Sequence, residues 1–110
     1  MTLELFQLQD HVAIVTGASR GIGKAVAVGL AEAGADLVIG ARNKDDLDEV
    51  SKQIQNIGRE VVAVSGSLAH REGMETLIDA AVSRFGKITT VVNNIGGSMP
   101  SGFMDTSEEA

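Results

Sequence analysis

The sequence predicts an α/β domain of the doubly wound kind, a parallel sheet covered by helices on both faces and cut here to about four strands and three helices. Two observations carry this. Short runs of apolar, mostly branched residues alternate along the chain with longer segments whose apolar positions recur every three or four residues, and a glycine closes each longer segment. The 110 residues are 44% apolar, enough for one modest core and too few for two.

Val12-Ala13-Ile14-Val15, ended by Thr16-Gly17, reads as a strand whose length and branching suit burial on both faces. From Ile22, the positions Ile22, Val26, Leu30 and Ala33 line one helical face, and Gly34 is placed to end the helix. Leu37-Val38-Ile39 is a second buried strand. Leu47, Val50, Ile54 and Ile57 repeat the helical spacing up to Gly58, and Val61 to Val64 follows as a third strand. Met74, Leu77, Ile78, Ala81, Val82 and Phe85 make the most regular stripe, closed by Gly86 before a fourth strand from Ile88 to Val92. Links of this length imply right-handed crossovers and a parallel sheet. A reversal of direction after the third strand gives the order third, second, first, fourth, with a ligand crevice between the carboxyl ends of the first and fourth strands.

Nine basic and fifteen acidic residues give a formal charge of −6, so no nucleic-acid or anionic-lipid partner is expected and phosphate recognition has to be local. The absence of cysteine excludes disulfides, thiolate metal sites and a cysteine nucleophile. His11 and His70 stand far apart, outside any metal-ligand spacing. The start does not read as a secretory signal, and no segment approaches the roughly 18 apolar residues of a membrane span. A soluble cytoplasmic protein without a metal is the expectation.

The turn after the first strand reads Thr16-Gly17-Ala18-Ser19-Arg20-Gly21-Ile22-Gly23. Its glycine spacing is not G-x-G-x-x-G, and Ala25 after Lys24 excludes a Walker loop. A pyrophosphate still suits it, because small residues let backbone approach a ligand while the helix that begins there offers free N–H groups and the positive end of its dipole. On that reading a branched side chain at Gly17 costs cofactor binding more than folding. Without a ligand, the same glycines serve as a tight strand-to-helix turn.

This turn and Asn93-Asn94-Ile95-Gly96 after the fourth strand resemble the T-G-x-x-x-G-x-G and N-N-A-G fingerprints of the short-chain dehydrogenase/reductases. The likeness runs through essentially the whole chain and is nearest in look to the bacterial 3-oxoacyl-carrier-protein reductases. Ile95 stands where alanine is usual, which leaves the backbone role intact and crowds the cofactor side slightly. The resemblance implies a Rossmann-type site, with Gly17, Ser19, Arg20, Gly21, Ile22 and Gly23 around a dinucleotide's phosphates and adenosine ribose. It implies Asn94 near the ribose region and Asn93 as a sheet-stabilising residue. Beside the adenine, where the family has an aspartate or asparagine before a valine, this chain has Ser67-Leu68, whose shorter hydroxyl makes a weaker or water-bridged contact. Ser65-Gly66-Ser67 reads equally as a polar loop.

The loop after the second strand meets the adenosine ribose, and its residues Gly40-Ala41-Arg42-Asn43 include no acid to accept from a 2′-hydroxyl. Arg42 and Arg20 converge as a clamp for a 2′-phosphate, so NADP(H) is expected ahead of NAD(H). The alternative for Arg42 is a solvated pair with Asp45 or Asp46.

In the family, hydride transfer uses a serine after a fifth strand and a Y-x-x-x-K pair, tyrosine as acid/base and lysine lowering its pKa. This chain has no tyrosine, and Ser98 and Ser101 lie too early to replace the serine. The expected division is a dinucleotide-binding portion over 1–95 and, over 96–110, a loop and the start of a helix capped at Thr106 or Ser107. The chain therefore reads as the inactive N-terminal portion of a longer oxidoreductase that interconverts an alcohol and a carbonyl compound and assembles with itself. A non-catalytic dinucleotide-binding or interaction module is the rival, and a regulatory protein of the same fold the third reading.

Overall fold

The computed structural model describes residues 8–66 and 71–94. Its elements alternate as β1 (Val12–Thr16), α1 (Gly21–Glu32), β2 (Asp36–Ala41), α2 (Lys44–Ile57), β3 (Val61–Ser65), α3 (Arg71–Phe85) and β4 (Thr90–Val92). All pairings are parallel and the sheet order is β3-β2-β1-β4. Val15 sits between Ile39 and Val92 in register, so the expected order is present and β1 and β4 are neighbours at the reversal of direction. Among the described residues no helix is long and apolar enough to cross a membrane.

Successive side chains of a strand point to opposite faces, which divides the core in two. On one face Ala13, Val15, Leu37 and Ile39 receive Ala27 and Ala31 of α1 and Leu47, Val50 and Ile54 of α2. On the other, Val12, Ile14 and Val38 receive Leu77 and Ala81 of α3. Each fully buried Ile, Leu or Val contributes about 1.5–3 kcal/mol relative to exposure, and β1 and β2, covered on both sides, hold most of them.

Three details differ from expectation. The buried line of α1 is Gly23, Ala27 and Ala31, whereas Ile22 is 74% exposed and Val26 and Leu30 are only partly buried. Small side chains on that line let the helix lie close on β1 and β2. On α3, Leu77 and Ala81 face the sheet, and Ile78 and Val82, one position further round the helix, stay exposed. Finally, β4 starts at Thr90 rather than Ile88. The Thr89 N–H donates to the Val12 carbonyl at 2.8 Å, while its hydroxyl accepts from the Val12 N–H at 2.9 Å and lies 3.1 Å from the same carbonyl, so a side chain shares the contact at the entry to β4.

Candidate functional site

Thr16 ends β1 as a fully buried polar residue. Its hydroxyl donates to Asn93 Oδ1 at 3.0 Å and accepts the Asn94 N–H at 2.8 Å. One side chain thus ties the carboxyl ends of β1 and β4 together. Asn93 holds the sheet ends, as its sheet-stabilising reading implies. The buried Ala18 donates its N–H to the Gly40 carbonyl at 3.1 Å, which fastens the turn to the end of β2 as well. Sequence reasoning left Thr16 and Ala18 without roles, although Thr16 belongs to the motif.

The glycines divide into two kinds. A Cβ on Gly17 would lie 2.6 Å from the Asn94 carbonyl oxygen, and one on Gly23 would lie 2.0 Å from the Gly17 carbonyl oxygen and 3.0 Å from Asn94 Nδ2. These two are glycine because the protein packs there against itself, which brings Gly17, Gly23 and Asn94 together. The expectation that a branched residue at Gly17 costs binding more than folding is therefore corrected: it would strike backbone, at a φ of +63° that suits glycine, before any ligand arrives. Gly21 differs, since a Cβ there meets nothing within 4 Å, and its φ of +65° turns the chain into α1.

The N-terminus of α1 has no side-chain cap and no acidic residue in its first turn. The first backbone bond of the helix runs from the Lys24 N–H to the Arg20 carbonyl, so the N–H groups of Gly21, Ile22 and Gly23 precede the intrahelical ladder. The contrast is α2, where Asn43 accepts from the Asp46 N–H at 2.9 Å and Asp45 and Asp46 occupy the first turn. Ser19 is half-buried and Arg20 and Ile22 are exposed beside the uncapped end.

Arg42 is exposed one residue past β2, and Ala41 before it is buried. The side chains of Arg42 and Arg20 form no ion pair or hydrogen bond with a described residue, so the pairing of Arg42 with Asp45 or Asp46 is absent. Arg42 precedes the helix, and the spacing that aligns side chains three or four residues apart applies only within one. Ser67, Leu68, His70 and everything from Ile95 onward, including Ser98, Ser101, Thr106 and Ser107, lie outside the described residues.

A family model described as short chain dehydrogenase matches residues 11–110. The chain belongs to the short-chain dehydrogenase/reductase family. It is 46% identical over 107 residues to an uncharacterized oxidoreductase of Mycobacterium tuberculosis (strain CDC 1551 / Oshkosh), covering 97% of this chain and 41% of that one. It is 37% identical over 97 residues to the 7alpha-hydroxysteroid dehydrogenase of Escherichia coli (strain K12), covering 88% and 38%. Among solved structures it is similar to L-sorbose reductase from Gluconobacter frateurii complexed with NADPH and L-sorbose, with a TM-score of 0.77, 36% identity, and coverage of 83% of this chain and 35% of that one. The chain thus spans about two fifths of the length of these short-chain dehydrogenase/reductases.

Proposed function

We propose that this chain is the cofactor-binding part of an NADP(H)-dependent oxidoreductase that interconverts an alcohol and a carbonyl compound. The observation that carries the reading is the uncapped N-terminus of α1, which follows the end of β1 beside β4, with Arg20 at its cap position and Arg42 just past the neighbouring β2, neither side chain paired with a described residue. Three N–H groups and a positive dipole end suit a pyrophosphate, and the open space over Gly21 leaves it room. Arg42, with Arg20 beside it, meets a 2′-phosphate, while Ala41 offers no acceptor to a free 2′-hydroxyl. Ser19, Ile22 and Asn94 border the same space, and Ser67-Leu68 is assigned to the adenine side on sequence alone. When bound, the dinucleotide supplies a hydride; the residues of this chain bind and orient it.

Similarity to a sugar reductase whose structure holds NADPH supports assigning this part of the fold to the cofactor. Titration calorimetry with NADPH and NADH tests the assignment. NADPH is expected to bind more tightly, and Arg42→Ala to remove most of the difference, since charge-assisted hydrogen bonds contribute about 1.5–3 kcal/mol, roughly ten- to hundredfold. Equal affinities that Arg42→Ala leaves unchanged would overturn the preference.

The lack of any tyrosine favours a second reading for these 110 residues taken alone, which is binding without turnover. Saturable NADPH oxidation by the purified chain with any of a panel of carbonyl compounds would exclude it.

A further inference from the structure

We infer that Asn43 is a positioning residue for cofactor selection: by capping α2 it sets the direction in which Arg42 leaves the end of β2, and so the preference for a 2′-phosphate over a 2′-hydroxyl. The inference rests on the 2′-phosphate reading of Arg42 given above. A single residue, Arg42, joins the last residue of β2 to the cap of α2. On one side Ala41 is buried, stands in register with Ser65, and accepts the Gly66 N–H at 3.0 Å. On the other, Asn43 is held twice, its Oδ1 accepting the Asp46 N–H at 2.9 Å and its carbonyl accepting the Leu47 N–H at 3.0 Å. Both neighbours of Arg42 are therefore fixed, and the backbone that carries its guanidinium is already ordered before a ligand arrives. A pre-ordered donor loses less freedom on binding.

The same cap has a second effect. With the Asp46 N–H taken by Asn43, and with Asp45 and Asp46 in its first turn, α2 presents a screened positive end. Discrimination between the two cofactors then falls on the side chain of Arg42 rather than on the helix end behind it.

The test is calorimetric binding of NADP⁺ and NAD⁺ to the wild-type chain, Asn43→Gly, Asn43→Ser and Arg42→Ala. Glycine is well tolerated as a helix cap, costing only a few tenths of a kcal/mol, so Asn43→Gly frees the connector with little effect on folding. Its ratio of NADP⁺ to NAD⁺ affinity is expected to fall about three- to tenfold, part of the worth of a charge-assisted hydrogen bond, while NAD⁺ affinity stays within about twofold. Asn43→Ser, which restores a side-chain acceptor, is expected to recover most of the ratio. If Arg42→Ala lowers the ratio and Asn43→Gly does not, the positioning role is wrong and the arginine clamp stands. A parallel loss of both cofactors in Asn43→Gly also overturns it, as does a fall in the ratio that Asn43→Ser fails to recover. If Arg42→Ala leaves the ratio unchanged, the clamp itself fails and the role of Asn43 falls with it.

Discussion

Replacing Gly23 by alanine adds one methyl group, and the structure gives that group no place. Its carbon would lie 2.0 Å from the Gly17 carbonyl oxygen, 2.7 Å from the carbonyl carbon and 3.0 Å from Asn94 Nδ2, where ordinary contact begins at 3.4 Å. The nearest obstacle is backbone, so no rotamer change relieves it. The start of α1 has to lift by about an ångström or more from the β1 turn, loosening Ala27 and Ala31 behind it and the approach of Asn94 in front. Overpacking of this kind costs about 1–3 kcal/mol, and at roughly 4–8 °C per kcal/mol for a small domain the melting temperature should fall by about 5–20 °C. Gly29, in the same helix, is the control: a Cβ there meets nothing within 4 Å, and alanine in a helix interior is favoured over glycine by about 0.5–1 kcal/mol. Thermal unfolding followed by circular dichroism should thus give shifts of opposite sign for Gly23→Ala and Gly29→Ala. A Gly23→Ala chain that melts at or above the wild-type temperature would refute the close approach of α1 to the turn.

Thr16→Val should destabilise by about 1–3 kcal/mol, because the part-buried Asn94 N–H loses its hydroxyl acceptor and the link between the ends of β1 and β4 is broken, and Thr16→Ser should recover most of it in urea unfolding. Ser51→Ala should stabilise by about 1 kcal/mol in the same assay, since the buried Ser51 hydroxyl has no partner among the described residues and alanine is the better helix former. The Asp48 carboxylate, through a hydrogen bond and then its charge, holds the Lys44 ammonium above its ordinary 10.5. The pair therefore favours folding below that value and is lost as pH rises through the raised one. Stability lost over that range should be smaller in Asp48→Asn, an effect that added salt abolishes.

Strand order was legible in the sequence because buried parallel strands announce themselves as unbroken branched runs: Val12–Val15 and Leu37–Ile39 need cover on both faces. The buried face of α1 was not legible by the same logic. A search for large apolar residues at helical spacing selects Ile22, Val26 and Leu30, whereas the close approach of helix to sheet selects the residues with least side chain. Ile22 is large and exposed beside the uncapped helix end, a placement that burial in the core does not explain. On α3 the apolar stripe is broader than the surface it covers, so Ile78 and Val82 were overread as core.

Within the site, the motif glycines were visible but their physical reasons were not. Spacing along the chain gives no hint that Gly17 and Gly23 face each other and Asn94, because the contact joins the ends of two strands far apart in sequence. The role of Thr16 was hidden for the same reason. The place of Arg42 just past a strand is visible in the sequence, and the structure adds that its side chain has no partner on α2.

Amide hydrogen exchange of the 110-residue chain, with and without saturating NADPH, tests the central claim most directly. Binding at the crevice predicts slowed exchange at Gly21, Ile22 and Gly23, and at Arg42 and Asn94, while the opposite end of the sheet, around Asp36, Arg59 and Glu60, keeps its rates. Protection centred on that opposite end, or no protection at the first turn of α1, would contradict the account.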